Sequence, residues 1–208
     1  YQQDEEAMYL NIYRRGHGDA SLDAFGTFFN LEIPASSKIS LYAFGGTNSK
    51  SSDAFAFTRN WSARPDRFPT TSNGSLINVP GIMKTASDGE IWYSPHIQTK
   101  IKDKAATAGL KGIIFNNWNW DLSTNYGTNS LDYRTSNSVN VTLGNASPTA
   151  FSDGQLKFNQ ITTNLDLTTS FNTGLATPLK FATGFEFRTE EYTIQAGEPD
   201  SYRNGGFT

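Results

Sequence analysis

Apolar and polar residues alternate in the segment WNWDLSTNY, residues 118–126. Such a period of two is typical of a β-strand whose two faces meet different surroundings. One face would carry every second residue, namely Trp118, Trp120, Leu122, Thr124 and Tyr126. The segment therefore predicts a strand with one apolar face and one polar face, and Gly127 is the predicted end of that strand.

The same alternation recurs in residues 131–143, 161–171 and 179–190. Each segment spans roughly ten residues or more, whereas strands in soluble proteins are usually about 5–6 residues long. Shorter alternating stretches occur at 8–12 and 39–43. The chain is therefore predicted to be all-β, with about seven or eight strands of unusual length.

Residues 60–112 are dense in Pro, Gly, Ser and Asn, and we predict a long loop region there. Within it, the Lys and Ala residues of 101–110 indicate at most a brief helical turn. Shorter connections are predicted at 127–130 and 172–177, with a longer one at 144–155 between them. Long and short connections would thus alternate along the chain.

Composition excludes several classes of protein. The formal net charge of the 208 residues is −3, which argues against a general nucleic-acid binder. The chain has no Cys and two His, so thiolate zinc sites, disulfides and His-rich metal sites are excluded, and we expect no cofactor and no metal site. No apolar run approaches the roughly 20 residues of a membrane-spanning helix.

Two architectures fit long strands with one apolar face. In a soluble β-sandwich the apolar face packs on a second sheet, whereas in an outer-membrane barrel it meets lipid and the polar face meets a wet lumen. Strand length, the alternation of long and short connections, and aromatic residues at both ends of 118–126 favour the barrel.

From about residue 116 to residue 206 the sequence resembles the barrel domain of TonB-dependent outer-membrane receptors of proteobacteria. The resemblance is carried by the segments Trp118-Asn119-Trp120-Asp121-Leu122-Ser123, Tyr126-Gly127, Asn137-Ser138-Val139-Asn140, Ser147-Pro148, Ala182-Thr183-Gly184-Phe185-Glu186-Phe187-Arg188-Thr189-Glu190 and Gly197-Glu198-Pro199-Asp200-Ser201-Tyr202. Upstream, Leu41-Tyr42-Ala43-Phe44-Gly45 resembles an earlier hairpin of the same barrels more loosely.

The resemblance implies an antiparallel transmembrane β-barrel of about 22 strands with long outer loops, of which this chain would form one part. It further implies active transport of a scarce bulky solute, such as a siderophore or an oligosaccharide, across the bacterial outer membrane. Outer-membrane lipid and the TonB energy-transduction complex would be the partners, the latter through a plug domain. The 208 residues contain no segment that resembles a plug, so we expect the chain to be an interior piece of a longer receptor.

Ligand binding is predicted for two groups of residues. The first comprises aromatic residues in predicted loops, namely Trp61, Trp92, Tyr93 and Tyr202, whose exposed rings could stack on sugars or other ligands. The second comprises charged residues on polar strand faces, namely Asp121, Arg134, Asp166, Glu186, Arg188 and Glu190. No catalytic residue is predicted, and we expect no enzymatic activity.

Two alternatives belong to other functional classes. A secreted β-sandwich could bind carbohydrate through Trp61, Trp92 and Trp118. A jelly-roll glycosidase could use Glu186 and Glu190 as paired carboxylates. Since Arg188 lies between these glutamates on the same face, a structural ladder of charges is the better interpretation of the pair.

Overall fold

The structure, a computed structural model, describes residues 20–115 and 117–206. Within them the chain is all-β and antiparallel, which confirms the predicted class. The strands are β1 (Ala20–Pro34), β2 (Ile39–Phe55), β3 (Arg59–Asn60), β4 (Lys84–Thr85), β5 (Ile91–Tyr93), β6 (His96–Ile114), β7 (Trp118–Ser136), β8 (Ala150–Phe171) and β9 (Leu179–Ala196). Short 3-10 helices occur at Pro65–Arg67, Val141–Ala146 and Pro199–Ser201. The strand predicted at 8–12 lies outside the described residues.

The six long strands form one sheet in the order β1-β2-β6-β7-β8-β9. Each is paired antiparallel with its neighbour along nearly its whole length. In the described part of the chain β1 and β9 are the two edges and do not pair with each other, so the sheet is open. No helical segment described here is long and apolar enough to cross a membrane.

The predicted strand end at Gly127 is wrong. Strand β7 runs without interruption through 127–130 and contains 19 residues, so the predicted strands at 118–126 and 131–143 share one element as far as Ser136. The apolar residues of β7 occupy even positions before Gly127 and odd positions after it. The face that is apolar before Gly127 is thus polar after it, and the other face changes in the opposite sense. A change of parity within one strand therefore resembled two strands separated by a turn.

The predicted loop at 60–112 is wrong beyond Pro95. Strand β6 occupies His96–Ile114 and pairs with β2 on one side and β7 on the other. Its Lys and Ala residues are weak strand formers, but neighbouring strands on both sides satisfy its backbone and override that preference. The region 101–110, predicted as a loop with a helical turn, is the middle of this strand.

Long and short connections do alternate, with corrected boundaries. The short ones, 35–38, 115–117 and 172–178, lie at one end of the sheet, because successive strands are antiparallel neighbours. The long ones, 56–95 and 137–149, lie at the other end, together with the segment 197–206 that follows β9. The connection predicted at 144–155 lies earlier in the chain, at 137–149, because β7 ends at Ser136 and β8 begins at Ala150.

One face of the sheet carries a continuous apolar belt in the half nearest the short connections. The strand registers place alternate residues of all six strands side by side there. Its large side chains are mostly exposed. The belt comprises Phe29, Leu31 and Ile33 of β1, Ile39, Leu41 and Ala43 of β2, Ala106, Ala108, Leu110 and Ile114 of β6, Trp118, Trp120, Leu122 and Tyr126 of β7, Ile161, Leu165, Leu167 and Phe171 of β8, and Leu179, Phe181, Phe185 and Phe187 of β9.

The other face, here called the opposite face, is mainly polar at the same height. It presents Asn119, Asp121, Ser123 and Asn125 on β7 and Thr162, Asn164, Asp166 and Thr168 on β8. Phe28, Phe44 and Ile113, on β1, β2 and β6, are its large apolar members at this height. The sheet is therefore two-sided, as the alternation in 118–126 predicted.

The compact apolar core lies away from the sheet faces, in the long connections. Strands β3, β4 and β5 form a small sheet within 56–95. Around it pack the residues of the loop core, which are Phe68, Ile82, Met83 and Tyr93 with Trp61, Leu76, Val79, Ile91 and Val139. Because Val139 belongs to the 137–149 connection, the core joins two of the long connections.

Candidate functional site

A cavity of about 570 Å³ lies between the long connections, and we call it the vestibule. Ile97 of β6 and Thr135 of β7, both at opposite-face positions, line its sheet side. Phe151 and Asp153 of β8 also line it, and its remaining lining residues come from 56–95, 138–142 and 201–204, so all three long segments contribute to it. The vestibule thus lies where the opposite face meets the long connections.

Side-chain hydrogen bonds hold two of these segments together. The amide nitrogen Nδ2 of Asn140 donates to the carbonyl oxygens of Asp200 at 2.9 Å and Arg203 at 3.0 Å. The backbone N–H of Gly205 donates to Oγ1 of Thr142 at 3.0 Å. Because Asn140 and Thr142 also line the vestibule, one wall of the cavity is fixed by these bonds.

The vestibule is lined by arginine and tyrosine side chains, which can donate hydrogen bonds. Arg59, Arg67 and Arg203 line it. Arg67 lies 3.1 Å from the carboxylate of Asp66, and Arg203 lies 2.6 Å from that of Asp200. The hydrogen bonds from Arg64 lower the pKa of the Asp66 carboxyl to about 2, so Asp66 is ionised across the physiological range.

Tyr93 lies between the vestibule and the loop core. Its hydroxyl donates to the carbonyl oxygen of Arg67 at 2.7 Å. Burial raises the pKa of Tyr93 to about 12, although the charges of Arg59 and Arg67 act in the opposite direction. The phenol is therefore neutral near pH 7, and the vestibule offers hydroxyl and guanidinium donors together with aspartate acceptors.

On the opposite face, a hydrogen-bonded group spans β1, β2, β6 and β7. The Tyr42 hydroxyl donates to Oδ1 of Asp121 at 2.6 Å, and its ring passes over Gly109 of β6. Lys111 Nζ lies 2.9 Å from the Glu32 carboxylate and 5.5 Å from the centre of the Tyr42 ring. Since Asp166 is the register partner of Asp121, the structure brings these two predicted residues together.

The predicted ladder on β9 is present. Arg188 Nη2 donates to Oε1 of Glu186 at 2.9 Å, and Nη1 lies 3.7 Å from Oε1 of Glu190. All three side chains are about half exposed on the opposite face. The arginine between the two glutamates neutralises part of their charge, as a structural ladder requires.

The predicted exposure of the loop aromatic residues is wrong for Trp92 and Tyr93. Each is only 3% exposed, and Trp61 packs edge-on against Phe68 at 5.5 Å between ring centres. Lys84 Nζ lies 5.2 Å from the centre of the Trp92 ring. These aromatic rings stabilise the fold of the 56–95 connection, because they are buried in or beside the loop core. Tyr202, by contrast, is 66% exposed and lines the vestibule.

Arg134 does not join the other predicted charges. It lies on the belt face of β7, beyond the belt, whereas Asp121 lies on the opposite face of the same strand. The grouping of the two on one polar face is wrong, because β7 is a single strand in which even and odd positions point to different sides.

Several residues of these sites escaped prediction. Arg59, Arg67 and Arg203 belong to the long segments between and after the strands of the main sheet, whose packing no sequence pattern reveals, and Lys111 falls within the predicted loop at 60–112. Tyr42 could have been found, because it alternates with Leu41 and Ala43 and so belongs on the polar face. Among the described residues, no three His, Cys, Asp or Glu side chains are grouped so that they could hold a metal ion.

Comparisons with protein-family models, with curated proteins and with solved structures found no match to the chain.

Proposed function

We propose that this chain forms part of the wall of a transmembrane β-barrel in a bacterial outer membrane. The belt carries the proposal, because its exposed apolar side chains run across all six strands with no second layer over them in the described residues. A soluble sandwich would cover such a surface with another sheet. Lipid is the environment in which an exposed apolar sheet face is stable.

The height of the belt supports the same environment. It extends over nine residues on β7, from Trp118 to Tyr126, and over eleven on β8, from Ile161 to Phe171. At about 3.4 Å per residue these spans measure about 27–34 Å along the strands. Strands tilted by about 40° would then cover about 20–26 Å, close to the apolar height of outer-membrane barrels of about 25 Å.

Aromatic rings mark both limits of the belt. Beside the short connections, the ring centre of Trp118 lies 6.4 Å from that of Phe171 and 6.0 Å from that of Phe181. Tyr126 lies at the other limit on β7. Aromatic residues concentrate at the two membrane interfaces of outer-membrane barrels, so both limits have the expected composition.

Within such a barrel we propose transport of the TonB-dependent kind, with this chain as one part of a barrel of about 22 strands. The solute would be a scarce, bulky molecule such as a siderophore or an oligosaccharide, captured at the vestibule and released into the polar lumen. The TonB complex would supply energy through a plug domain. The opposite face supports a wet lumen, because Asp121, Asp166 and the Glu186–Arg188–Glu190 ladder lie on it.

The alternative is a secreted carbohydrate-binding sandwich, and the site gives it less support. Two of its three proposed binding rings, Trp61 and Trp92, belong to packed loops, and Trp118 lies in the belt.

Fractionation of the native source tests the proposal. We expect the protein in the outer-membrane fraction, extracted only by detergent, and folded in a heat-modifiable form on gels. Purified protein would then be titrated with ferric hydroxamates, ferric catecholates and malto-oligosaccharides while tryptophan fluorescence is recorded. A folded monomer that is stable in water without detergent would overturn the barrel, and the sandwich would become the leading candidate.

A further inference from the structure

The sequence contains two Asn-Gly pairs, Asn73-Gly74 and Asn204-Gly205, and both lie in long segments outside the main sheet. An asparagine that precedes glycine can lose its side-chain amide without any enzyme. The backbone nitrogen of the glycine attacks Cγ of the asparagine, and this nitrogen is unhindered because glycine has no Cβ. Whether such a pair reacts in a folded protein depends on its surroundings.

Asn73 lies at the tip of a tight loop in the first long connection. A bridge between Thr70 and Leu76 closes this loop at its base, and all five residues of 71–75 are exposed. No group among the described residues forms a hydrogen bond with the Asn73 side chain. Apart from the two chain neighbours of Gly74, nothing lies within 4 Å of the place that a Cβ there would occupy. The side chain therefore has room to fold back onto the backbone.

A single hydrogen bond restrains the attacking nitrogen of this pair. The backbone N–H of Gly74 donates to the carbonyl oxygen of Thr71 at 2.8 Å. This bond must open before the nitrogen can reach Cγ of Asn73. An exposed bond at a loop tip opens at small cost, because water replaces the lost partner. The fold thus slows the reaction at Asn73 without preventing it.

The second pair is held more firmly. The backbone N–H of Gly205 donates to Oγ1 of Thr142 at 3.0 Å, and that of Gly206 donates to Oδ1 of Asn204 at 2.8 Å. A Cβ at Gly205 would overlap the carbonyl oxygen of Thr142, so this glycine packs closely against a neighbouring connection. Both groups that must meet in the reaction are therefore engaged in other bonds.

We propose that Asn73 is a site of spontaneous modification, at which the folded protein converts asparagine to aspartate and isoaspartate. In the first step the Gly74 nitrogen loses its proton and forms a bond to Cγ of Asn73, and the side-chain nitrogen leaves as ammonia. The product is a five-membered succinimide ring. Water then adds to one of the two ring carbonyl carbons and the ring opens. Water is the only co-reactant, and an amide is exchanged for a carboxylate.

The modification adds a negative charge to the loop tip, and the isoaspartate product also lengthens the backbone by one carbon. None of the residues 71–75 lines the vestibule, so ligand binding is not the appropriate measurement. The inference uses only the long connections and does not depend on the proposed membrane location.

The test incubates the folded full-length protein at mildly alkaline pH, where more of the attacking nitrogen is deprotonated. Digestion at acidic pH and peptide mass spectrometry then follow both pairs and identify isoaspartate by fragmentation. Asn204 should react roughly tenfold more slowly than Asn73, of which about fivefold comes from its additional hydrogen bond. In protein unfolded by urea the two pairs should react at similar rates, because only the local sequence then acts.

Two variants separate the chemistry from the fold. N73Q should abolish the signal at position 73, since attack on the longer side chain requires a six-membered ring. T142V removes the hydroxyl that accepts from Gly205 and should accelerate the reaction at Asn204 by about fivefold. In T142V the rate at Asn73 should stay unchanged, so that this pair serves as the internal control.

Two results would overturn the proposal. If folded protein gained no carboxylate at Asn73 while urea-unfolded protein became modified there, the fold would protect this pair. Equal rates at Asn73 and Asn204 in the folded protein would show that the structure does not distinguish them.

Discussion

At the scale of single residues, Gly109 shows how closely the opposite face is packed. A Cβ at this position would overlap the ring of Tyr42, which crosses Gly109 to reach Asp121. Gly127, on the next strand, has nothing within 4 Å of a Cβ. The two glycines therefore have different reasons to be present, although the sequence alone cannot distinguish them.

Substitution of Gly109 by Ala is expected to lower the free energy of unfolding by about 1–3 kcal/mol, as overpacking does. The ring of Tyr42 must move, and its hydrogen bond to Asp121 is lost. Denaturant unfolding of the refolded protein measures the effect, and G127A is the matched control with an expected change near zero. In a Y42A background the cost of G109A should largely disappear; an undiminished cost would contradict this packing.

The stability of the loop core should decrease at alkaline pH because of Tyr93. Its pKa is about 12 in the folded protein and about 10 in an unfolded chain. The folded state therefore retains a proton that the unfolded state loses, so the stability conferred by Tyr93 is complete below about pH 10 and falls as the pH rises toward 12.

Fluorescence of Trp61 and Trp92 would report this loss, because both rings belong to the long connection that holds the core. We expect an alkaline transition between about pH 10 and 12 that Y93F removes. Y202F is the control, since Tyr202 is exposed and its change should leave the transition in place. Persistence of the same transition in Y93F would assign it to another group.

At the scale of the strand, β8 allows the two faces to be compared at adjacent positions. Leu165 lies in the belt between Leu122 and Phe185, whereas Asn164 lies on the opposite face between Ser123 and Glu186. In lipid, L165K should destabilise the protein by about 2–4 kcal/mol, since a charge at mid-depth must leave water. N164K should be nearly neutral beside Glu186.

Urea unfolding in lipid vesicles, followed by tryptophan fluorescence, measures both variants. The barrel proposal requires the cost of L165K to exceed that of N164K clearly. Equal small costs for the two would mean that the belt face meets water.

The strands also show what the sequence could and could not predict. Residues 118–126, 161–171 and 179–190 were predicted as strands because their alternation reflects a sheet with two different surroundings. Strand β6 was missed, since its Ala and Lys residues carry little β-propensity and its pairing partners lie far away in sequence. In β7 the exchange of faces near Gly127 resembled a turn, because parity reports the surroundings of a strand and says nothing about its continuity.

The candidate sites, like the strands, include parts that the sequence could predict and parts that it could not. The β9 ladder and the proximity of Asp121 to Asp166 follow from alternation and register, which local sequence partly encodes. The vestibule depends on how three separate long segments pack together. Packing between distant loops leaves no periodic signal, so the burial of Trp92 and the position of Arg203 could not be foreseen.

At the scale of the whole molecule, antiparallel order places all short connections at one end and all long ones at the other. In a membrane the two ends would face different compartments. The chain has no Cys, so single cysteines can be introduced without interference.

Labelling of intact cells with an impermeant maleimide is expected to modify S87C, in a long connection, and to spare S36C, in a short one. Both should react after the cells are broken. Labelling of S36C in intact cells would contradict an orientation in which the long connections face the cell exterior.

The most direct test of the belt is a single-cysteine spin-label scan along residues 161–168 of β8 in lipid vesicles. Accessibility to oxygen, which concentrates in lipid, and to a water-soluble nickel complex would be measured at each position. We predict a period of two, with oxygen favoured at Ile161, Thr163, Leu165 and Leu167, and nickel favoured at Thr162, Asn164, Asp166 and Thr168. Equal accessibility to the nickel complex on both faces would contradict a membrane-embedded sheet.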